Sequence, residues 1–217
     1  MTLLRAKEMT LEDAQRLLGF CPVWDGEFGD ELVLVALEAD ELDELARLRS
    51  ELLDYLTLGK MSEGQAQIVA VLPLLRLAGY SRLPIQYRVE EGIARICIED
   101  EDTHIRGRFD IVAVNRSQVT KDQSLLWILV VESKNLEASE FAGIAQMLTY
   151  AYTSLESQSA VWGLVTNGAT YQFFYVEKSL EGQLIYRYMP SLSLIRKDRS
   201  RELLQVLKAI RDWVPEG

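Results

Sequence analysis

Residues 127–135, "WILVVESKN", decide how the rest of the chain is read. The stretch is apolar from Trp127 to Val131 and then turns abruptly to Glu132, Ser133 and Lys134. A short, continuous apolar run rich in branched side chains predicts a central strand buried on both faces. Side chains at i and i+2 of a strand share a face, so Glu132 and Lys134 point the same way at the mouth of an apolar layer. The lysine is expected to lower the pKa of its glutamate neighbour. A strand that merely surfaces at its end gives the same pattern, so the meaning of the pair depends on what other elements bring to it.

The preceding strand brings a second carboxylate. In residues 107–114, "GRFDIVAV", Asp110 stands directly before an apolar strand. Burying that group unpaired would cost on the order of several kcal/mol, which calls for a partner or a metal ion. If the two strands are neighbours, Asp110, Glu132 and Lys134 converge at one sheet edge. Arg106 and Arg108 flank Asp110 on what reads as the same strand and, with Arg82, Arg88 and Lys121, are candidate phosphate contacts.

Composition limits the alternatives. The chain has 217 residues, 48% hydrophobic and 26% charged, enough for one domain with a proper core. No apolar run reaches the length of a membrane span, and "MTLLRAKEMTLEDAQ" becomes charged too soon for a signal peptide. Two distant cysteines and one histidine, His104, argue against a disulfide framework and a zinc site, and a reducing cytoplasm is the natural setting. The net charge of -10 excludes a general nucleic-acid coat protein. That charge is uneven: residues 1–60 carry 14 acidic and 6 basic side chains, whereas residues 61–217 carry 19 and 17, which leaves room for a local basic groove.

The periodicity divides the chain near residue 58. Residues 1–58 read as an acidic, helical N-terminal extension: a short helix with a capping box at Thr10 and Asp13, a Pro/Gly-rich turn, and a long leucine-striped helix ending before Gly59. The acidic face of that helix is a candidate contact for a partner subunit or a second copy, and its charge is expected to shield the groove from non-specific DNA. Residues 59–217 read as the main domain. Ser62 caps a helix running to Gly79, which Pro73 is expected to kink. After residue 80 the period falls to 2: a hairpin turning at Glu91-Gly92, a third strand through "HIRGRFDIVAVN", and the central strand. A helix over "EASEFAGIAQMLTYAYTSL", a hairpin at Asn167-Gly168, a further strand and a closing helix complete an α/β (α+β) fold with a mixed central sheet flanked by helices. "EDED", residues 99–102, reads as a solvated loop.

The ordered set "GRFD", "VVESKN" and "GIAQMLTYAY" resembles the PD-(D/E)XK nuclease superfamily, the restriction endonuclease-like fold. The pattern is similar to the branch that holds RecB-type nuclease domains and the nuclease region of type I restriction motor subunits. Three further features fit. Glu63 opens the helix before the sheet, Gln146 and Tyr150 resemble the QxxxY element, and "GLVTNGATYQFFYV" resembles the hairpin that follows the nuclease helix. Phe109 stands where the name-giving proline would be, and residues 1–58 are not covered.

The resemblance implies a DNA phosphodiesterase of the restriction or repair type. Asp110 and Glu132 would ligate Mg²⁺, with Mn²⁺ able to substitute. Lys134 would position the attacking water, Gln146 would shape the site and Glu63 would assist. Tyr150, Arg106 and Arg108 would contact nucleic acid. Homodimerisation is expected by analogy with small restriction-like nucleases. The alternative is a catalytically silent protein of the same fold that binds a partner, favoured by the acidic charge and disfavoured by the intact Asp110, Glu132 and Lys134.

Overall fold

Local signals set the helices. The computed structural model describes residues 2–93, 96–98, 103–120, 122–137, 141 and 143–215. In chain order its elements are β1 (Thr2–Arg5), α1 (Leu11–Leu18), β2 (Phe20–Val23), α2 (Phe28–Glu31), α3 (Ala39–Thr57), α4 (Glu63–Ala66), α5 (Leu72–Leu77), β3 (Ile85–Val89), β4 (Ile96–Ile98) and β5 (Thr103–Arg106). There follow β6 (Ile111–Val119), β7 (Leu125–Ser133), α6 (Ile144–Ser154), β8 (Ala160–Thr166), β9 (Thr170–Lys178), β10 (Leu184–Tyr188), β11 (Leu192–Ser193) and α7 (Lys197–Asp212). Reciprocal capping boxes open α1 at Thr10 and Asp13, α3 at Glu38 and Glu41, and α4 at Ser62 and Gln65. The kink expected at Pro73 takes a specific form. Proline offers no N–H to the ladder, and the turn before it, Gln67–Val71, is π-helical, with the Leu72 N–H bonding to the Gln67 carbonyl.

Among the described residues, eight strands form one mixed sheet in the order β2-β10-β9-β8-β7-β6-β3, with β11 pairing β9. β7 and β8 run parallel and β10 pairs β2 in parallel; the remaining neighbours are antiparallel. The connection through α6 is what allows β7 and β8 to be parallel. β7 is interior, as its sequence predicts, and is buried from Leu126 on except at Trp127. The mixed α+β architecture with a central mixed sheet flanked by helices is thus the one expected. One face of the sheet packs against α3, α5 and α7 through residues such as Leu52, Leu74, Trp162 and Leu207. The other packs against α1 and α6 through Val112, Val130, Met147 and Leu148.

Three sequence expectations are corrected. The hairpin at Glu91-Gly92 does not form: β3 pairs antiparallel with β6, while β4 pairs with β5 in a separate small sheet, order β1-β5-β4. A two-stranded hairpin is marginal alone, whereas β6 offers β3 a long apolar edge. The third strand is two strands, β5 and β6, broken at residues 107–110, so Arg106 and Asp110 are not on one strand. Finally, residues 2–58 are woven into both sheets through β1 and β2, in addition to their helices. The "EDED" run lies outside the described residues, as do the Ala94-Arg95 part of the expected hairpin and residues 138–140 and 142 of the expected helix.

Candidate active site

Strand register creates the site. Ile111, the first residue of β6, lies opposite Val131, so Asp110, just before the strand, comes beside Glu132 of β7. The Glu132 side chain lies on the face that carries Val130, toward α6. Ser133 faces the other way but ties the strands together: its N–H and its hydroxyl both donate to Asp110 Oδ2, at 2.8 and 2.7 Å. The Gln67 amide, at the start of the π turn, donates to the same Ser133 hydroxyl at 2.6 Å. The helical layer opposite α6 is thereby linked, through Gln67 and Ser133, to the Asp110 carboxylate.

Lys134 follows directly. Its backbone N–H donates to the Thr166 carbonyl at 2.8 Å, extending the β7–β8 pairing by one residue. Its ammonium donates to Glu132 Oε1 at 2.5 Å and to Gln146 Oε1 at 3.2 Å. Gln146 Nε2 donates to the Tyr150 hydroxyl at 2.9 Å, and that hydroxyl donates to the Arg108 carbonyl at 2.8 Å. The sequence of α6 supplies this chain by placing Gln146 and Tyr150 one turn apart. Gly143, just before α6, makes room for it. Its φ is +91°, and a Cβ there would stand 2.8 Å from Lys134 Cε and 3.1 Å from Glu132 Cγ.

The electrostatics depart from the sequence expectation. Glu132 is 1% exposed, and burial together with the Asp110 charge pushes its carboxyl up to about 8 despite Lys134. Desolvation disfavours the charged form more than one ammonium favours it. Glu63, at the first turn of α4, is raised for the same two reasons, burial and then Asp110, and feels Lys134 in the opposite sense. Three carboxyl groups and one ammonium thus share a single electrostatic site. Among the described residues, Glu132 Oε2 is buried with no hydrogen-bond partner. An orphaned acceptor of this kind costs about 1–3 kcal/mol, more when charged, so a cation there would be welcome.

The donor set suits one class of ion. Among the described residues no three Asp, Glu, His or Cys side chains close into a metal cage. A cation that takes one or two carboxylates, keeps several waters and shares a substrate phosphate fits that arrangement, which is the habit of Mg²⁺. Asp110 and Glu132 are the residues that would hold it.

With this geometry in hand, known proteins offer little more. No protein-family model and no curated protein matches the chain. Among solved structures, it is similar to a fragment assigned to the HsdR subunit of a type I restriction enzyme from Vibrio vulnificus YJ016, at 20% identity and a TM-score of 0.39. The overlap covers 66% of this chain and 26% of that one, so the chain spans about a quarter of its neighbour's length. An overlap at this level says nothing of what the chain acts on.

The structure brings together Asp110, Glu132, Lys134, Gln146 and, through its charge, Glu63. Tyr150 is placed differently from the expectation of a nucleic-acid contact. It is 1% exposed, burial raises its phenol, and its hydroxyl is committed to Gln146 and Arg108. Arg108 and Arg106 lie beside the site; Arg108 pairs with exposed Glu90 at 2.9 Å. Arg88 stands opposite Val112 and pairs with Glu91 at 3.6 Å. Arg82 lies near Asn115, at the opposite end of β6 from Asp110. Lys121 falls outside the described residues. Sequence reasoning missed Ser133, Gln67 and Gly143. Only Gly143 left a signal, a glycine immediately before an apolar helix.

Proposed function

We propose that the chain is a Mg²⁺-dependent nuclease of the PD-(D/E)XK, restriction endonuclease-like superfamily that hydrolyses phosphodiester bonds in DNA, with Mn²⁺ able to substitute. The observation that carries the reading is the placement of Lys134 Nζ between Glu132 Oε1 and Gln146 Oε1, beside Asp110 and an orphaned Glu132 oxygen. Held by Asp110 and Glu132, the metal would neutralise charge on the scissile group and make a water nucleophilic. The protein's own share is positional. Lys134 holds the attacking water or the phosphoryl oxygen where negative charge develops. Gln146 fixes the direction of that ammonium, and Ser133 fixes Asp110. The choice of DNA over RNA rests on the sequence resemblance.

The test is cleavage of linear, circular and single-stranded DNA by purified protein with Mg²⁺, Mn²⁺ or EDTA, beside Lys134→Ala and Asp110→Ala. Metal-dependent cutting that disappears in both variants supports the reading. Folded wild-type protein that is inert on every substrate overturns it.

One observation favours the second reading, a silent binding protein of the same fold. Lys134 pairs directly with an almost fully buried Glu132, a pair that can neutralise itself without a metal. Folded protein that binds DNA or a partner but cleaves no substrate, with or without metal, would decide for it.

A further inference from the structure

A second pocket lies on the far side of Gln146 from the carboxylates. It has a volume of about 450 Å³ and is lined by four cations, Arg5, Lys7, Arg106 and Arg108, together with Gln146 and Tyr150, and, among the described residues, by no carboxylate. The chain as a whole carries -10, and residues 1–60, which supply Arg5 and Lys7, carry 14 acidic against 6 basic side chains. Four cations around one space are not what that background would place there.

The backbone forces them together. β1 pairs in parallel with β5, and in that register Arg5 lies directly opposite Arg106. Like charges directly opposite on neighbouring strands destabilise a sheet. Their counter-charges are weak: Arg5 meets Glu8 only at 3.9 Å, and the Arg108–Glu90 pair is about two-thirds exposed at both ends. Such pairs contribute little and exchange readily. Among the described residues, Lys7 and Arg106 are in no salt bridge. Gly107 closes the floor, since a Cβ there would come 2.7 Å from Tyr150 Cε1 and 2.8 Å from Ala6 Cβ. The N-terminal turn, the β5–β6 link and α6 therefore meet without an intervening side chain.

Four like charges around one space repel one another, and an anion among them reverses the sign. Guanidinium groups suit phosphate in particular, because their donors match two of its oxygens at once. Gln146 is the shared wall, accepting from Lys134 at 3.2 Å and donating to Tyr150 at 2.9 Å. A group in the pocket thus sits one side chain away from Lys134.

We propose that this pocket binds a phosphate group of the nucleic-acid strand adjacent to the one being cut, with Arg5 and Lys7 as its previously unsuspected grip; the adjacency rests on the nuclease reading above. The N-terminal segment, acidic overall, then presents its cations to the substrate instead of shielding the site. The phosphate is either an internal phosphodiester or a terminal monoester, and both offer the same oxygens.

The experiment measures binding of the full chain to fluorescent oligonucleotides in EDTA and in Ca²⁺ across a salt series, for wild type, Arg5→Ala/Lys7→Ala and Arg106→Gln. Thermal melting and wild-type cleavage with Mg²⁺ are recorded alongside. The double variant is expected to lose about tenfold or more in affinity, and its slope of log K against log salt is expected to fall by about two contacts' worth. Arg106→Gln should bind more weakly yet melt no lower, because a like-charge pair has been relieved. Loss shared by circular and linear single strands assigns an internal phosphodiester. Loss confined to oligonucleotides with a 5′ or a 3′ phosphate assigns a terminal monoester. Variants that bind and cut like wild type overturn the pocket and leave the nuclease reading intact. A wild type that cuts nothing but binds through Arg5 and Lys7 overturns the nuclease and keeps the pocket. No binding by wild type overturns the pocket outright.

Discussion

Lys134 Nζ donates to Glu132 Oε1 across 2.5 Å at the point where β7 leaves the core, and its second bond, to Gln146 Oε1 at 3.2 Å, sets the direction of the ammonium. If Lys134 is the group that meets the reacting phosphate, Gln146 is its positioning residue. Gln146→Ala is expected to lower the cleavage rate by about tenfold to a hundredfold, less than Lys134→Ala, which removes the charge itself. Rate constants at saturating DNA would show it. Equal losses in both variants would place Gln146 in direct contact with the substrate.

Gly143 guards the same pair from above. An alanine there meets two penalties: a left-handed φ of +91°, and a methyl 2.8 Å from Lys134 Cε. The backbone term alone costs about 1–2 kcal/mol. Gly143→Ala should therefore unfold at lower urea and lose cleavage through a displaced Lys134. A variant of unchanged stability and activity would show that the loop before α6 adjusts freely.

Glu132 gives the site a pH signature. Its carboxyl is raised from 4.5 to about 8 in the folded protein, chiefly by burial. The folded state thus binds the proton more tightly than the unfolded state does. Its contribution to stability is complete below pH 4.5 and is lost as pH rises through about 8. Metal-free wild type should lose on the order of a few kcal/mol over that window, and Glu132→Gln should flatten the loss. Urea titrations from pH 5 to 9 measure it. Added Mg²⁺ should stabilise wild type more at pH 9 than at pH 6, because a ligating carboxylate must first lose its proton.

Tyr150 separates a structural from a binding role. Its buried hydroxyl links Gln146 to the Arg108 carbonyl. Tyr150→Phe should cost about 0.5–1.5 kcal/mol in stability and slow cleavage by loosening Gln146. The salt dependence of DNA binding should stay as in wild type, since no phosphate contact is removed. A flatter salt slope would restore the direct contact suggested by the sequence.

What the sequence determined by itself was local in origin. Capping residues fixed where α1, α3 and α4 begin, the apolar run from Trp127 to Val131 marked β7 as interior, and Asn167-Gly168 turned β8 into β9. The chemical types at Asp110, Glu132 and Lys134 were equally legible, because strand alternation already places Glu132 and Lys134 on one face. Tertiary structure alone decided the rest. β3 joined β6 instead of β4, Glu132 became harder to ionise despite its lysine, and Tyr150 turned inward. Arg5 came to lie against Arg106 across nearly half of the chain's length. Propensity and periodicity arise among near neighbours in sequence, whereas strand pairing and desolvation depend on which distant surfaces exclude water together. The identity of the charged groups could be read in order, but their partners and their protonation were set by packing.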